Sequence, residues 1–178
     1  MKTKADYLFS IESPWISVGS GEPERHNWIP SFYYSRDGIA TCTRHLRGRK
    51  MRTTQGLMNE FAAAFQFFDG FGENWYALLD CLRYLDEWLP AEAYILDIEG
   101  AEEVLQDEST EQFIALLKTL HDAGEWWARP ITDNGQFNRH AVPFHSLLNV
   151  SAGNKKAVAW ICENGHKAKV PIRIAAAE

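Results

Sequence analysis

The chain has 178 residues, of which 46% are hydrophobic, 13% aromatic and 24% charged, with a formal net charge of −6. A chain this apolar can bury a core and does not have the composition of a disordered protein, and no apolar run is long enough for a membrane span. Cys42, Cys81 and Cys162 are odd in number and widely spaced, which favours reduced thiols, and no secretory apolar stretch follows the first residues. We therefore expect a cytoplasmic protein.

The charge is unevenly distributed along the chain. Residues 69–125 contain fifteen Asp or Glu and only two Lys or Arg, whereas the segments before and after them are net positive. An acidic surface of this size can attract a cationic partner over a long range. The alternative interpretation is a solvated acidic helix surface without a partner.

The first third of the chain is predicted to be largely irregular. Prolines and a Gly-Ser-Gly turn interrupt residues 1–37, and Tyr33-Tyr34 and residues 39–43 are strand-prone segments that a turn at 35–38 could join as a hairpin. The next segment is basic, and we interpret it as a polar loop before a helix rather than a nucleic-acid patch, because no recognition motif accompanies it. Its basic residues are Arg44, Arg47, Arg49, Lys50 and Arg52.

Two helices are predicted in the middle of the chain. Thr53 or Thr54 can cap a helix that runs to about Phe67, after which Asp69-Gly70 and Gly72 break the pattern. Asn74 is a suitable N-cap for a second helix over roughly 75–88, which Pro90 ends. The apolar face of this second helix consists of Trp75, Leu78, Leu79, Leu82 and Leu85.

The remaining elements complete an α/β pattern. Residues 93–98 predict a buried strand, a third helix begins at Ser109 and ends just before Gly124, and residues 141–150 predict another strand. Two strand-like runs, 157–162 and 168–174, flank Glu163-Asn164-Gly165 and predict a C-terminal β-hairpin. The order of elements predicts a small, mainly parallel sheet packed with helices in two or three layers.

Motifs for catalysis or cofactor binding are weak. Cys162 and His166 have the spacing of half a zinc site, but the second pair of ligands is missing. An enzyme, for example a nuclease that holds a metal with Asp80, Glu73 and Asp86, is disfavoured because helical spacing puts Asp80 and Asp86 on different faces. We therefore expect no enzymatic activity, no cofactor and no metal.

The most informative stretch runs from Gly70 to Leu82. Its segments Gly72-Glu73-Asn74 and Asp80-Cys81-Leu82, at their separation, resemble the signature of the barstar family of ribonuclease inhibitors. The resemblance extends from about Ile39 to about Val150. It implies an N-terminal extension over 1–37, a barstar-like domain over 38–150, and a hairpin extension over 151–178 that packs on the same domain.

The resemblance also implies a partner and a binding face. Barstar-like proteins plug the cationic cleft of a ribonuclease, so we expect one-to-one binding to a basic secreted or toxin ribonuclease, as in an immunity protein, with no direct nucleic-acid or membrane contact. Asp80 maps onto the family's phosphate-mimicking aspartate and Phe71 onto an aromatic residue of its binding loop. Helical spacing places Tyr76, Arg83 and Tyr84 on the exposed face of Asp80. Glu73 of the signature either fixes the loop before the helix or contacts the target directly. The predicted partner-binding residues are Asp80, Tyr76, Tyr84, Phe71, Arg83 and Glu73.

The sequence departs from the family pattern at several contact positions. Tyr76 stands where familiar members have a second contacting aspartate, and Thr119 stands near the place of a contacting glutamate. Leu79 and Leu85 replace tryptophans, and Tyr84 replaces a glycine. These departures leave open an alternative, a barstar-fold interaction module that no longer targets a ribonuclease.

Overall fold

All strands of the sheet run in the same direction. The computed structural model describes residues 7–20, 38–132 and 138–175. Its strands are β1 (Ile16–Ser20), β2 (Thr41–Arg47), β3 (Ala93–Glu99), β4 (Phe144–Val150) and β5 (Ile172–Ile174). They form one sheet in the order β2-β3-β4-β1-β5, and each neighbouring pair is parallel. The predicted α/β class with a small parallel sheet is thus confirmed.

Four α-helices of this part of the chain pack with the sheet. They are α1 (Thr54–Phe65), α2 (Trp75–Arg83), α3 (Thr110–Trp127) and α4 (Lys155–Ala168). The predicted caps are present, since the Thr53 hydroxyl accepts from the Gly56 N–H at 3.1 Å and the Asn74 side chain accepts from the first turn of α2. Helix α2 is shorter than predicted, because the chain tightens after Arg83 into a 3₁₀ turn over Leu85–Glu87. Within the described ranges, no helix is both long and apolar enough to cross a bilayer.

The main core lies between the helices and one face of the sheet. On β3, Tyr94, Leu96 and Ile98 belong to this core, while Ile95 points to the other face and packs in a second, smaller cluster. The N-terminal segment supplies Tyr7 and Leu8 to that smaller cluster, together with Leu147 of β4. Side chains alternate across a strand, so both faces of β3 are used. Over the described residues the arrangement is therefore two-layered, with an N-terminal segment across part of the second face.

The predicted C-terminal hairpin is wrong. Residues 155–168 form helix α4, and β5 pairs in parallel with β1 instead of turning back on the preceding segment. A helix forms here instead of a hairpin because the buried residues have helical spacing. Ile161, Gly165 and Ala168 are separated by four and three residues and lie buried on one side of α4. Asn164 does not break the helix, since its side-chain amide donates to the Trp160 carbonyl at 2.8 Å.

The end of α3 also differs from the prediction. Gly124 was expected to lie just past the helix, yet α3 continues to Trp127. The side chain of Trp15 packs directly on Gly124, so the glycine makes room for a close contact and does not terminate the helix. The predicted hairpin strand at Tyr33-Tyr34 lies outside the described residues, and residues 41–47 pair in parallel with β3.

The basic segment is partly strand rather than loop. Arg44 and Arg47 lie on β2, and the Arg47 guanidinium donates to both carboxylate oxygens of Glu60 on α1 at 2.7 and 2.9 Å. These hydrogen bonds hold the pKa of the Glu60 carboxyl below its ordinary value. Arg52 forms a similar paired contact with Asp107 at 2.8 and 2.7 Å. Two of the five basic side chains are thus committed to carboxylates of the same chain.

Candidate functional site

Helix α2 presents an acidic and aromatic face to solvent. Leu78 and Leu82 are fully buried on its inner side, whereas Asp80 is exposed and Tyr76 and Tyr84 are 85% and 46% exposed. These three exposed residues follow one another at intervals of four, which places them on the same side of the helix. Helical spacing predicted that Arg83 shares one exposed face with these three residues. Tyr76, Asp80 and the C-cap residue Tyr84 are exposed, whereas Arg83 is half-buried.

The Asp80 carboxylate has no cationic partner in the part of the chain that the structure describes. Arg83, one turn away and half-buried, turns instead toward α3, where its guanidinium lies 5.3 Å from the Trp126 ring centroid. Tyr84 contacts the same indole edge-on, at 6.1 Å between ring centroids. Since the Arg83 guanidinium is held against this aromatic ring, it does not form an ion pair with Asp80.

The loop before α2 presents a different aromatic residue from the one predicted by the resemblance. Phe71 is half-buried, with its ring 4.9 Å from that of Phe67, while Phe68 is 62% exposed. Glu73 adopts a positive φ of 46°, and its carboxylate accepts from the Gln55 side chain on α1 at 2.8 Å. Glu73 therefore helps to fix the loop, and Phe68, not Phe71, is the exposed aromatic ring of this loop.

Hydrogen bonds from tryptophans fasten both ends of α2 to α3. At the beginning of α2, the Trp75 indole N–H donates to the Gln112 side chain at 2.8 Å. At its end, Trp126 and Trp127 donate to the carbonyls of Arg83 and Leu82 at 3.0 and 2.8 Å. Terminal carbonyls of a helix lack partners within the helix, so these bonds satisfy them as well as fixing the helix position. Helix α2 is therefore a rigid support for its exposed residues.

Helix α3 contributes acidic residues that the sequence analysis did not single out. Thr119, which stands near the family's contacting glutamate, is only 6% exposed and faces the core. Asp122 and Glu125, one and two turns further, line a surface cleft of about 420 Å³ together with Arg83 and Trp126. In this cleft the Arg129 guanidinium donates to the Glu125 carboxylate, so Asp122 is the acidic lining residue that forms no ion pair with another described residue. The only sequence feature that pointed to Asp122 and Glu125 was their position in the acidic stretch 69–125. Sequence alone did not show that α3 runs beside α2 at this point.

Within the residues that the structure describes, the cysteines and the pair of Cys162 and His166 show no feature of a catalytic or metal site. Burial, with the negative charge of Asp80 beside it, raises the pKa of the Cys81 thiol, so this cysteine stays protonated and is a poor nucleophile. Cys162 and His166 lie one turn apart on α4, where burial raises the pKa of the Cys162 thiol. Among the described residues, no group of three or more His, Cys, Asp or Glu side chains is arranged to hold a metal ion.

The similarity of this chain to known proteins lies at the level of its family. No curated protein matches the chain at a significant level. The family model described as Barstar (barnase inhibitor) matches residues 41–148, from the start of β2 into β4 and including all of α2 and α3. This match covers more than half of the chain, and it contains the exposed face of α2. The chain belongs to the Barstar (barnase inhibitor) family.

Proposed function

We propose that the protein inhibits a ribonuclease by placing the acidic face of α2 in the cationic active site of the enzyme. The observation that carries the proposal is the position of Asp80, which is exposed, unpaired among the described residues and flanked by Tyr76 and Tyr84. The family match supports the same class of partner. In the complex, the Asp80 carboxylate takes the place of a substrate phosphate.

Physical arguments favour this use of the face. A carboxylate that is buried at an interface contributes favourably only when several donors surround it, and a ribonuclease cleft provides such donors. Binding is less costly when the carboxylate is already fixed, and the bonds that fasten α2 to α3 provide this rigidity. The excess of carboxylates over residues 69–125 adds long-range attraction for a basic enzyme.

The proposal is tested by titrating a microbial guanyl-preferring ribonuclease with the wild-type protein at low and high salt. We expect one-to-one, competitive inhibition that weakens as salt increases. Asp80→Asn should weaken inhibition more than about tenfold, because a charge-assisted contact is lost. Asp86→Asn is the matched control, since it removes one exposed charge near the same helix and should have a much smaller effect.

A positive result with a secreted or toxin ribonuclease would fit an immunity protein that protects the producing cell. We place this role in the cytoplasm, where the three free thiols of Cys42, Cys81 and Cys162 would stay reduced. Absence of inhibition across several ribonucleases would contradict the proposal, as would inhibition that Asp80→Asn leaves unchanged.

One observation favours a second function, that of an interaction module without a ribonuclease target. Tyr76 is the most exposed aromatic residue on the face, and it stands where the resemblance implies a second contacting aspartate. A partner captured from the native host, with no ribonuclease activity, would support this function if Tyr76→Ala abolished the interaction and Asp80→Asn did not.

A further inference from the structure

A second groove lies away from α2, between the segment that precedes α3 and the first turns of α4. Its volume is about 420 Å³, and its apolar lining includes Leu105, Phe113 and Trp160. The rings of Phe113 and Trp160 are in contact, with centroids 4.5 Å apart, and Trp160 remains 39% exposed. Trp160 lies outside the family-matched residues 41–148, so the groove exists only because α4 follows the matched region.

Two glutamates and one lysine are the charged residues that line this groove. Glu102 is half-buried and accepts from the Ser151 N–H at 2.9 Å, so Glu108 is the carboxylate that a ligand can reach. Glu108 is exposed, and one of its oxygens accepts from the Thr54 N–H at 2.8 Å. In the described part of the chain neither of these two glutamates forms an ion pair, and the only basic lining residue is Lys156 on the opposite wall.

We propose that this groove binds a segment of a partner protein in which apolar residues flank one arginine, with the arginine side chain stacked on Trp160 and hydrogen-bonded to Glu108. A guanidinium is flat and weakly hydrated, so it packs well on an exposed indole. Its N–H groups form charge-assisted hydrogen bonds with a carboxylate that lines the same groove. Lys156 opposes a second cation, so the groove selects a single arginine with apolar neighbours rather than a run of basic residues.

This proposal does not depend on ribonuclease inhibition, because none of the groove residues belongs to α2. Experiments can therefore contradict either proposal without contradicting the other. Loss of the groove would leave the Asp80 face intact, and a protein without a ribonuclease target could still bind a segment in which apolar residues flank one arginine.

The test uses the full chain and the peptide acetyl-Leu-Arg-Leu-amide at millimolar concentration. The probe is the indole N–H signal of Trp160 in a ¹⁵N-labelled NMR spectrum, assigned by its loss in Trp160→Phe. We expect this signal to shift saturably with the arginine peptide. The citrulline peptide, which keeps the shape and loses the charge, should bind about tenfold more weakly.

Two glutamate variants test which carboxylate binds the arginine side chain of the peptide. Glu108→Gln should weaken arginine-peptide binding about tenfold while keeping an oxygen for the Thr54 N–H. Glu163→Gln removes the same charge from α4, on the helix of Trp160 but outside the groove lining, and should leave binding unchanged. The proposal is overturned if the Trp160 signal does not shift, if citrulline binds as well as arginine, or if both variants weaken binding equally. Self-association that Trp160→Ser abolishes would also overturn it, in favour of a second copy of this chain.

Discussion

The indole N–H of Trp127 donates to the backbone carbonyl of Leu82 at 2.8 Å, which joins the last turn of α3 to the last turn of α2. Trp127 is fully buried, and the Arg139 guanidinium covers its ring at 4.2 Å. The neighbouring Trp126 is half-buried and bonds the next carbonyl, that of Arg83. The two adjacent tryptophans thus serve different purposes. One is part of the core, and the other lies at the edge of the candidate binding face.

Replacement of Trp127 should mainly lower the free energy of unfolding, whereas replacement of Trp126 should mainly affect the candidate binding face. Trp127→Phe removes a buried hydrogen bond and leaves space in the core, so we expect a loss of about 1–3 kcal/mol in the free energy of unfolding. Trp126→Phe should cost about 1 kcal/mol or less. If the proposed function holds, it should also weaken ribonuclease inhibition, because Arg83 and Tyr84 lose contacts with the indole ring. Urea denaturation and inhibition titrations measure the two effects. Equal losses of stability in the two variants would contradict this division.

Helix α2 could be predicted from sequence because its signals are local. Asn74 caps it, and the spacing of Leu78 and Leu82 defines its buried side, so the exposure of Asp80 followed directly. Gly124 could not be interpreted in the same way, since the residue that explains it, Trp15, lies 109 positions earlier in the chain. The helical nature of 155–168 was missed for a related reason. Its burial depends on contacts with distant elements, and its Asn-Gly pair is a turn signal only when the flanking segments are strands.

The substitution Gly124→Ala tests the close contact between Trp15 and Gly124, which explains why this glycine lies inside the helix. A β-carbon at this position would lie 2.6 Å from the Trp15 side chain, so something must move. We expect a loss of about 1–3 kcal/mol in the free energy of unfolding, although alanine is the better helix former. The double variant Trp15→Leu/Gly124→Ala should be more stable than the sum of the single effects predicts, since the shorter side chain relieves the clash. Strict additivity would show that the two residues do not interfere.

The candidate binding face was predicted only in part, because it draws on residues of α2, of the loop before α2 and of α3. The signature located Asp80, and helical spacing located Tyr76 and Tyr84. The exposure of Phe68 instead of Phe71 depends on how the loop packs against Phe67, which no local pattern reveals. Which of two neighbouring rings is buried depends on tertiary contacts, and the periodicity of the sequence does not predict such contacts.

Tyr76→Asp restores the residue type that the resemblance implies at this position. Tyr76 is exposed, so the effect on stability should stay within about 0.5 kcal/mol, and the first-turn position of the new carboxylate offsets its repulsion of Asp80. If the proposed function holds, the variant should associate with a basic ribonuclease faster at low salt, and high salt should remove the gain. Stopped-flow association rates measure this. Tyr76→Asn has the same size without the charge and should show no such gain.

On the sheet face opposite the helices, His45 bridges two carboxylates, with its ring nitrogens 3.3 Å from Asp97 and 3.2 Å from Glu99. Asp97 is buried and also accepts from the Asn149 side chain, so the network spans β2, β3 and β4. The hydrogen bond and negative charge of Asp97, with a further contribution from Glu99, raise the pKa of His45 above its ordinary value of 6.5. The protonated ring donates to both carboxylates and ties the edge strand β2 to β3.

This network predicts a pH-dependent stability. Because the folded pKa of His45 is higher than the unfolded one, its contribution is fully present below pH 6.5 and is lost as pH rises through the folded value. We therefore expect the wild type to exceed His45→Gln in free energy of unfolding at pH 5.5, and the difference to shrink steadily at alkaline pH. Urea denaturation across pH, with an NMR titration of the His45 ring, measures both quantities. A difference that grew with pH would mean that the neutral ring, not the protonated one, stabilises the sheet.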